Sequence, residues 1–303
     1  MPITDERWRA LLAARAHDPG RVEAAYRARR RRPLLGPDGR LFIVAADHPA
    51  RGALGASGDP LAMADRRGLL NRLLVALANP GVDGVLSTPD LVEDLLLLGA
   101  LDGKLVLGST NRGGLKGAAW ELEDPTTAYD ADAIAAFGLD GGKLLLRIDD
   151  QDPATLATIR TAAATVTALA RHRLPAVIEP LPYTRDARGA AVLDADPDRL
   201  VRAVTVAAGL GVTSAFTWLK LPAVPDVARA AAATALPVVL LGGDPGPGAD
   251  ATFAAWERGL ALPSVVGLMA GRSLLYPAGG DVAGAVDVAA GLVHGARTRG
   301  STR

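Results

Sequence analysis

Residues 214–223 read SAFTWLKLPA. Ala215, Phe216, Trp218, Leu219 and Leu221 are apolar or aromatic and have no helical spacing, so the stretch reads as a buried strand. One cation, Lys220, interrupts it. Leaving water disfavours the charged form of a lysine, so burial favours the neutral amine. A neutral amine is the nucleophile that a Schiff base requires. The plainer alternative is a strand end whose ammonium reaches solvent. What lies on either side of this stretch decides between the two.

Working outward, the same kind of run recurs at 41–46 (LFIVAA), 82–87, 104–110, 143–149 (KLLLRID), 175–181 (PAVIEPL), 237–241 and 264–270 (SVVGLMA). Helical patterns separate the runs, at 64–79, 91–98, 131–137, 153–172, 197–208, 225–234, 249–260 and 281–297. The runs are continuously apolar rather than alternating, as expected when a parallel sheet is covered on both faces. Eight strand–helix repeats in a chain of 303 residues predict an α/β fold of the TIM (β/α)8 barrel type, over residues 39–303. A doubly wound open sheet would need a glycine-rich phosphate turn after its first strand, and AADHPARG at 45–52 is not one. Residues 1–38 read as a helical extension in front of the barrel. Its run Arg29–Arg32 is expected to be a solvated helix end stopped by Pro33, with an anion contact as the alternative.

Composition narrows the function. Lys plus Arg and Asp plus Glu number 33 each, so no net field favours nucleic acid or an acidic membrane. Cysteine is absent, which removes disulfides, thiolate metal sites and a cysteine nucleophile. No apolar run approaches a membrane span, and the opening MPITDERWRALL lacks a signal-peptide pattern. A cytoplasmic enzyme acting on a small molecule is expected, without a nucleic-acid or membrane partner and assembled as a homo-oligomer.

In such a barrel the chemistry gathers at the carboxyl ends of the strands. Here those ends carry Asp47 and His48, then Thr110, Asn111 and Arg112, then Arg147 and Asp149, then Glu179 with Tyr183 beyond it, then Lys220. The last two strands run into Gly242-Gly243 and Gly271-Arg272. Loops at these two positions often cradle phosphate on backbone N–H groups, and Arg272 would add a charged fork. The alternative is that the three glycines are turn residues and Arg272 a surface one. Lys143 is a second strand lysine. A neighbouring ammonium and a carboxylate such as Glu179 would activate Lys220 and move its protons. Lys143 also fits the bottom of the barrel, since it follows Gly141-Gly142. His48, Arg147 and Tyr183 are further candidate substrate contacts. His17, His172 and His294 lie on helices and are expected at the surface. No histidine cluster suits zinc, so no metal or cofactor is expected; magnesium on Asp47 with Glu179 or Asp149 is the remaining metal alternative.

The ordered set ADH at 46–48, KLLLRID at 143–149, EPLPY at 179–183, LKLP at 219–222 and AGRSLLYP at 270–277 resembles the class I (Schiff-base) TIM-barrel aldolases. These include the tagatose-bisphosphate, deoxyribose-phosphate and archaeal-type fructose-bisphosphate enzymes. Within them the chain resembles most an actinobacterial aldolase-like group associated with inositol breakdown. The resemblance implies a Schiff base on Lys220, proton transfer by Glu179 or Tyr183, and assistance from Asp47 at the hydroxyl being cleaved. Lys143 would support the lysine, and Gly242, Gly243, Gly271 and Arg272 would hold phosphate. It implies a sugar-phosphate substrate, such as 6-phospho-5-dehydro-2-deoxygluconate. Other ketose phosphates and a non-catalytic sugar-phosphate-binding barrel are the alternatives.

Overall fold

A computed structural model describes residues 2–243 and 249–295. Its strands are β1 Leu41–Ala45, β2 Gly84–Ser87, β3 Leu105–Ser109, β4 Gly141–Ile148, β5 Ala176–Arg185, β6 Ala191–Leu193, β7 Thr217–Pro222, β8 Val238–Leu241 and β9 Val265–Ala270. Eight of them pair in parallel in the order β4-β3-β2-β1-β9-β8-β7-β5, and a β4–β5 pairing closes the ring. A helix follows each barrel strand, from Arg66–Ala78 after β1 to Val282–Gly295 after β9. The protein is a TIM (β/α)8 barrel. The loop 244–248 after β8 and the end of the helix expected over 281–297 lie outside the described residues.

The apolar runs hide an alternation that becomes visible only once the barrel closes. Leu41, Ile43 and Ala45 of β1 point into the barrel, with Leu86, Leu105, Leu107, Val177, Trp218, Val239 and Met269. Phe42 and Val44 point outward into the layer beneath the helices. Both faces are buried, so period two leaves no polar–apolar trace in the sequence. The same parity turns Lys143 of β4, Glu179 of β5 and Lys220 of β7 inward, between outward-facing Leu144, Ile178, Leu219 and Leu221.

The segment before β1 closes the amino end of the barrel. Helices Asp5–His17 and Gly20–Ala28 lead to Leu34 and Leu35, which pack against the inner core. Arg29–Arg32 do not form the expected solvated helix end. Arg29 is buried and pairs with Asp140 at 3.1 Å, Arg31 reaches the same carboxylate at 2.9 Å, and Arg32 reaches Asp83 at 2.6 Å. Asp83 and Asp140 immediately precede β2 and β4, so the arginines staple the extension to the bottom of the barrel. Arg30, paired with Asp102 at 2.6 Å, and Arg31 keep exposed side chains. His294 is half-buried rather than at the surface, with Nδ1 2.6 Å from Asp38 and Nε2 2.9 Å from the Gly81 carbonyl.

Two features over the carboxyl end were not expected. β5 runs on past Leu181 and turns back through the antiparallel pair Tyr183–Leu193 into β6. The long connection after β3 folds over the mouth, fixed by Asn111. That side chain accepts from the Leu145 backbone at 2.7 Å and donates to the Leu145 carbonyl at 2.6 Å. Among the described residues no helix is long and apolar enough to cross a membrane.

Candidate active site

Parallel register sets the heights of the inward polar groups. Lys143 lies opposite Val177, Leu145 opposite Glu179 and Ile178 opposite Leu219, so Glu179 and Lys220 stand one inward position above the level of Lys143, Val177 and Trp218. Lys143 Nζ is 2.5 Å from Glu179 Oε2, and Lys220 Nζ is 3.2 Å from the same oxygen. Lys143 therefore faces the carboxyl end, not the bottom. Its Nζ also lies 3.3 Å from Asp47 Oδ2. That oxygen accepts from Ser109 Oγ at 2.9 Å and stands 3.0 Å from Arg112 Nη1. All of these side chains are buried. Lys143, Glu179, Lys220, Asp47 and Arg112 border one cavity of about 500 Å³. A space of this size suits a small ligand.

Burial alone would push both carboxyl groups up, but the neighbouring cations prevail. Arg112 and Lys143 hold Asp47 well below the usual carboxylate range. Lys143 and Lys220 do the same for Glu179. The Lys143 ammonium is lowered by burial, although Asp47 and Glu179 act against the shift. Burial also drives His48 far below the ordinary imidazole value, which favours a neutral ring beside Asp47 at 3.8 Å. Two carboxylates held charged, a lysine shifted toward the amine and a neutral imidazole thus share one cleft.

The structure gathers most of the sequence candidates here. Asp47, His48, Lys143, Glu179, Tyr183, Lys220, Gly242, Gly243, Gly271 and Arg272 all line the cavity. Gly271 has a packing reason as well: a Cβ would come 2.2 Å from the Ala45 carbonyl oxygen. At Gly242 a Cβ would meet Ser273 Oγ at 2.3 Å. The Arg272 guanidinium donates to the Gly55 carbonyl at 3.4 Å, which ties the β9 end to the loop after β1. Burial raises the Tyr183 hydroxyl above its ordinary value.

Arg147 is the exception. It stands behind the cavity wall, fully buried, with Glu121 and Asp124 both 3.1 Å away. It also donates to the Gly114 carbonyl at 3.1 Å. It holds the loop after β3 in place rather than facing the cavity. Sequence reasoning in turn passed over Arg112, Arg51 and Ser109. Arg112 follows directly on β3 and was visible as a polar strand end. Arg51 had no such signal, because it is brought to the mouth by the short helical turn Pro49–Arg51. Among the described residues no three His, Asp or Glu side chains converge as a metal site would require.

The sequence profile of the Cgl0159-like family matches residues 39–290. The structure of Cgl0159 from Corynebacterium glutamicum (Brevibacterium flavum) is 49% identical, covering 97% of this chain and 98% of that one, with a TM-score of 0.94. An archaeal fructose 1,6-bisphosphate aldolase shares the fold at 18% identity and a TM-score of 0.65, over 90% of this chain and 99% of its own. The fructose-bisphosphate aldolase of Slackia heliotrinireducens does so at 16% and 0.61, over 96% and 88%. No curated protein matches the chain.

Proposed function

Since the chain belongs to the Cgl0159-like family and sets two buried lysines on one carboxylate, we propose that it is a class I aldolase. It cleaves a phosphorylated keto-sugar or keto-sugar acid through a Schiff base on Lys220. The observation that carries this reading is the Lys220–Glu179–Lys143 array at the carboxyl end of the barrel. The fold-level likeness to fructose-bisphosphate aldolases supports it by analogy.

Lys220, as the neutral amine, adds to the substrate ketone and gives a carbinolamine. Its ammonium proton passes first to Glu179, 3.2 Å away. Loss of that ammonium removes one of the two charges that depress Glu179, so the carboxylate gains basicity at the step that needs it. The Lys143 ammonium, whose proton burial loosens, donates as the carbinolamine hydroxyl leaves as water, and the neutral Lys143 amine, 2.5 Å from Glu179, then takes up the proton that Glu179 received, which returns Glu179 to the carboxylate. The resulting iminium accepts the electron pair when the carbon–carbon bond breaks. The proton of the hydroxyl on the departing carbon goes to Glu179, with Asp47 accepting a hydrogen bond from that hydroxyl. The enamine is then reprotonated and hydrolysed, which frees Lys220. Gly242, Gly243, Gly271 and Arg272 hold the phosphate while this occurs. The finer reading is cleavage of 6-phospho-5-dehydro-2-deoxygluconate to dihydroxyacetone phosphate and malonate semialdehyde, which rests on the family resemblance.

Borohydride reduction in the presence of dihydroxyacetone phosphate, followed by peptide mass mapping, tests the proposal. The expected product is a three-carbon phosphate adduct on Lys220. No adduct, or one on another lysine, overturns it.

A further inference from the structure

The Arg51 and Arg112 side chains come from different loops, the turn after β1 and the connection after β3, yet both line the cavity. Arg112 is 5% exposed. Its Nη1 serves Asp47 and its Nε donates to the Asn111 carbonyl. Its Nη2 is buried and has no hydrogen-bond acceptor among the described residues. Arg51 Nη1 is likewise buried without an acceptor, and the nearby Glu121 carboxylate stands off at 3.7 Å. Buried guanidinium N–H groups without acceptors carry a desolvation cost that a ligand oxygen would remove.

Their place on the ring matters. In the closed order, β3 lies four strands from β8, which is diametrically opposite. The Arg112 end therefore faces Gly242 and Gly243 across the mouth, with Lys220 and Glu179 on the arc between them. Charge narrows the ligand further. Arg51, Arg112, Arg147 and Lys116 gather at this end against Asp47, Glu121 and Asp124. With Lys143, which shares Asp47, the cations outnumber the carboxylates, and the two oxygens of one carboxylate can take the open N–H of each arginine. A planar guanidinium also matches the planar carboxylate fork.

We infer that Arg51 and Arg112 form a second anion subsite that binds a terminal carboxylate of the substrate, opposite the phosphate grip. This rests on the aldolase reading for its role, although binding itself does not. The substrate is then a keto acid with phosphate at one end and carboxylate at the other, and the carboxylate leaves with the aldehyde fragment.

Calorimetric titration of the intact protein with succinate and, separately, with inorganic phosphate tests the subsite. Wild type, Arg51→Met and Arg272→Ala are compared, each checked for folding by circular dichroism. Arg51→Met is expected to weaken succinate on the order of tenfold or more. Arg272→Ala is expected to weaken phosphate more than succinate. Succinate that fails to bind wild type, binds Arg51→Met equally well, or depends chiefly on Arg272 overturns the inference. So does phosphate that depends chiefly on Arg51. Should Arg51→Met not fold, Arg112→Gln is titrated instead with the same criteria. Borohydride trapping on wild type separates the two ideas. An adduct without the succinate pattern removes only the subsite, and the succinate pattern without an adduct removes only the aldolase.

Discussion

Lys143 Nζ approaches Glu179 Oε2 more closely than Lys220 does, at 2.5 Å against 3.2 Å. The lysine proposed as nucleophile is thus the more loosely held of the two. Lys143 has a second carboxylate, Asp47, at 3.3 Å, whereas Lys220 has Glu179 alone within ion-pair distance among the described residues. On the proposed reading, Lys143 is the electrostatic partner and Lys220 the lysine left to react. Lys220→Met is expected to abolish the borohydride adduct and to lower cleavage by several orders of magnitude. Lys143→Met is expected to slow adduct formation while leaving its position on Lys220. Mass mapping that finds the label undiminished in Lys220→Met, or on Lys143, would reverse the assignment.

Glu179→Gln keeps the shape of the side chain and removes its charge. Two buried ammoniums then share a neutral amide, and breaking a buried ion pair from one side costs about 3–5 kcal/mol. A clear fall in melting temperature at pH 7 is expected. Loss of the proton-transferring group should also lower the cleavage rate roughly 10²–10⁴-fold. A variant as stable and as active as wild type would show that Glu179 is neither the charge partner nor the proton carrier.

The pH dependence of stability follows from the same groups. Asp47 and Glu179 lie below their ordinary values in the folded protein because the adjacent cations outweigh burial. The unfolded chain binds protons on these carboxyls near pH 4, while the folded chain resists them. Their contribution is therefore complete above about pH 5 and falls away as the pH drops through and below the ordinary carboxylate range. Lys143 adds a second limb of the same sign at alkaline pH. Burial lowers its folded value, so it releases its proton before the unfolded lysine does, and stability gained from it rises as the pH climbs toward about 10. Urea midpoints measured from pH 3 to pH 10 should show both limbs. Asp47→Asn should flatten the acid limb, and an acid limb unchanged in that variant would refute the charge assignment.

Much of this site was legible because strand runs in a parallel barrel are apolar by necessity, so each charged residue inside one stands out. Lys220, Lys143 and Glu179 were found in that way, and Asp47, His48, Gly242 and Gly271 followed as strand ends. What could not be read was direction and pairing. Arg147 interrupts β4 just as Lys143 does and shares its parity. Only the folded loop, with Glu121 and Asp124 waiting at 3.1 Å, reveals that it is already satisfied. The same holds for Arg29–Arg32, whose partners Asp83, Asp102 and Asp140 lie 51 to 111 residues away. Short-range pattern carries no information about such pairs. The β5–β6 hairpin was missed because Tyr183–Arg185 and Ala191–Leu193 are too short and too polar to mark a strand pair.

Phosphate binding is the least secured by packing alone, since Gly242 and Gly271 have no room for a side chain whether or not they meet a ligand. Arg272 separates the two explanations. It lines the cavity at the β9 end, beside Gly271 and across from Gly242 on the neighbouring strand. A charge-assisted bond to phosphate is worth roughly 1.5–3 kcal/mol, so Arg272→Ala should raise the Michaelis constant for a phosphorylated substrate on the order of 10- to 100-fold. For the same sugar without phosphate the loss should be much smaller, because the guanidinium has nothing to hold. Arg272 also donates to the Gly55 carbonyl at 3.4 Å, so the melting temperature of the variant is measured beside its kinetics. Unchanged melting with a phosphate-specific loss identifies Arg272 as a ligand contact. Equal losses on both substrates, accompanied by a lower melting temperature, would mean that it serves only to tie β9 to that loop.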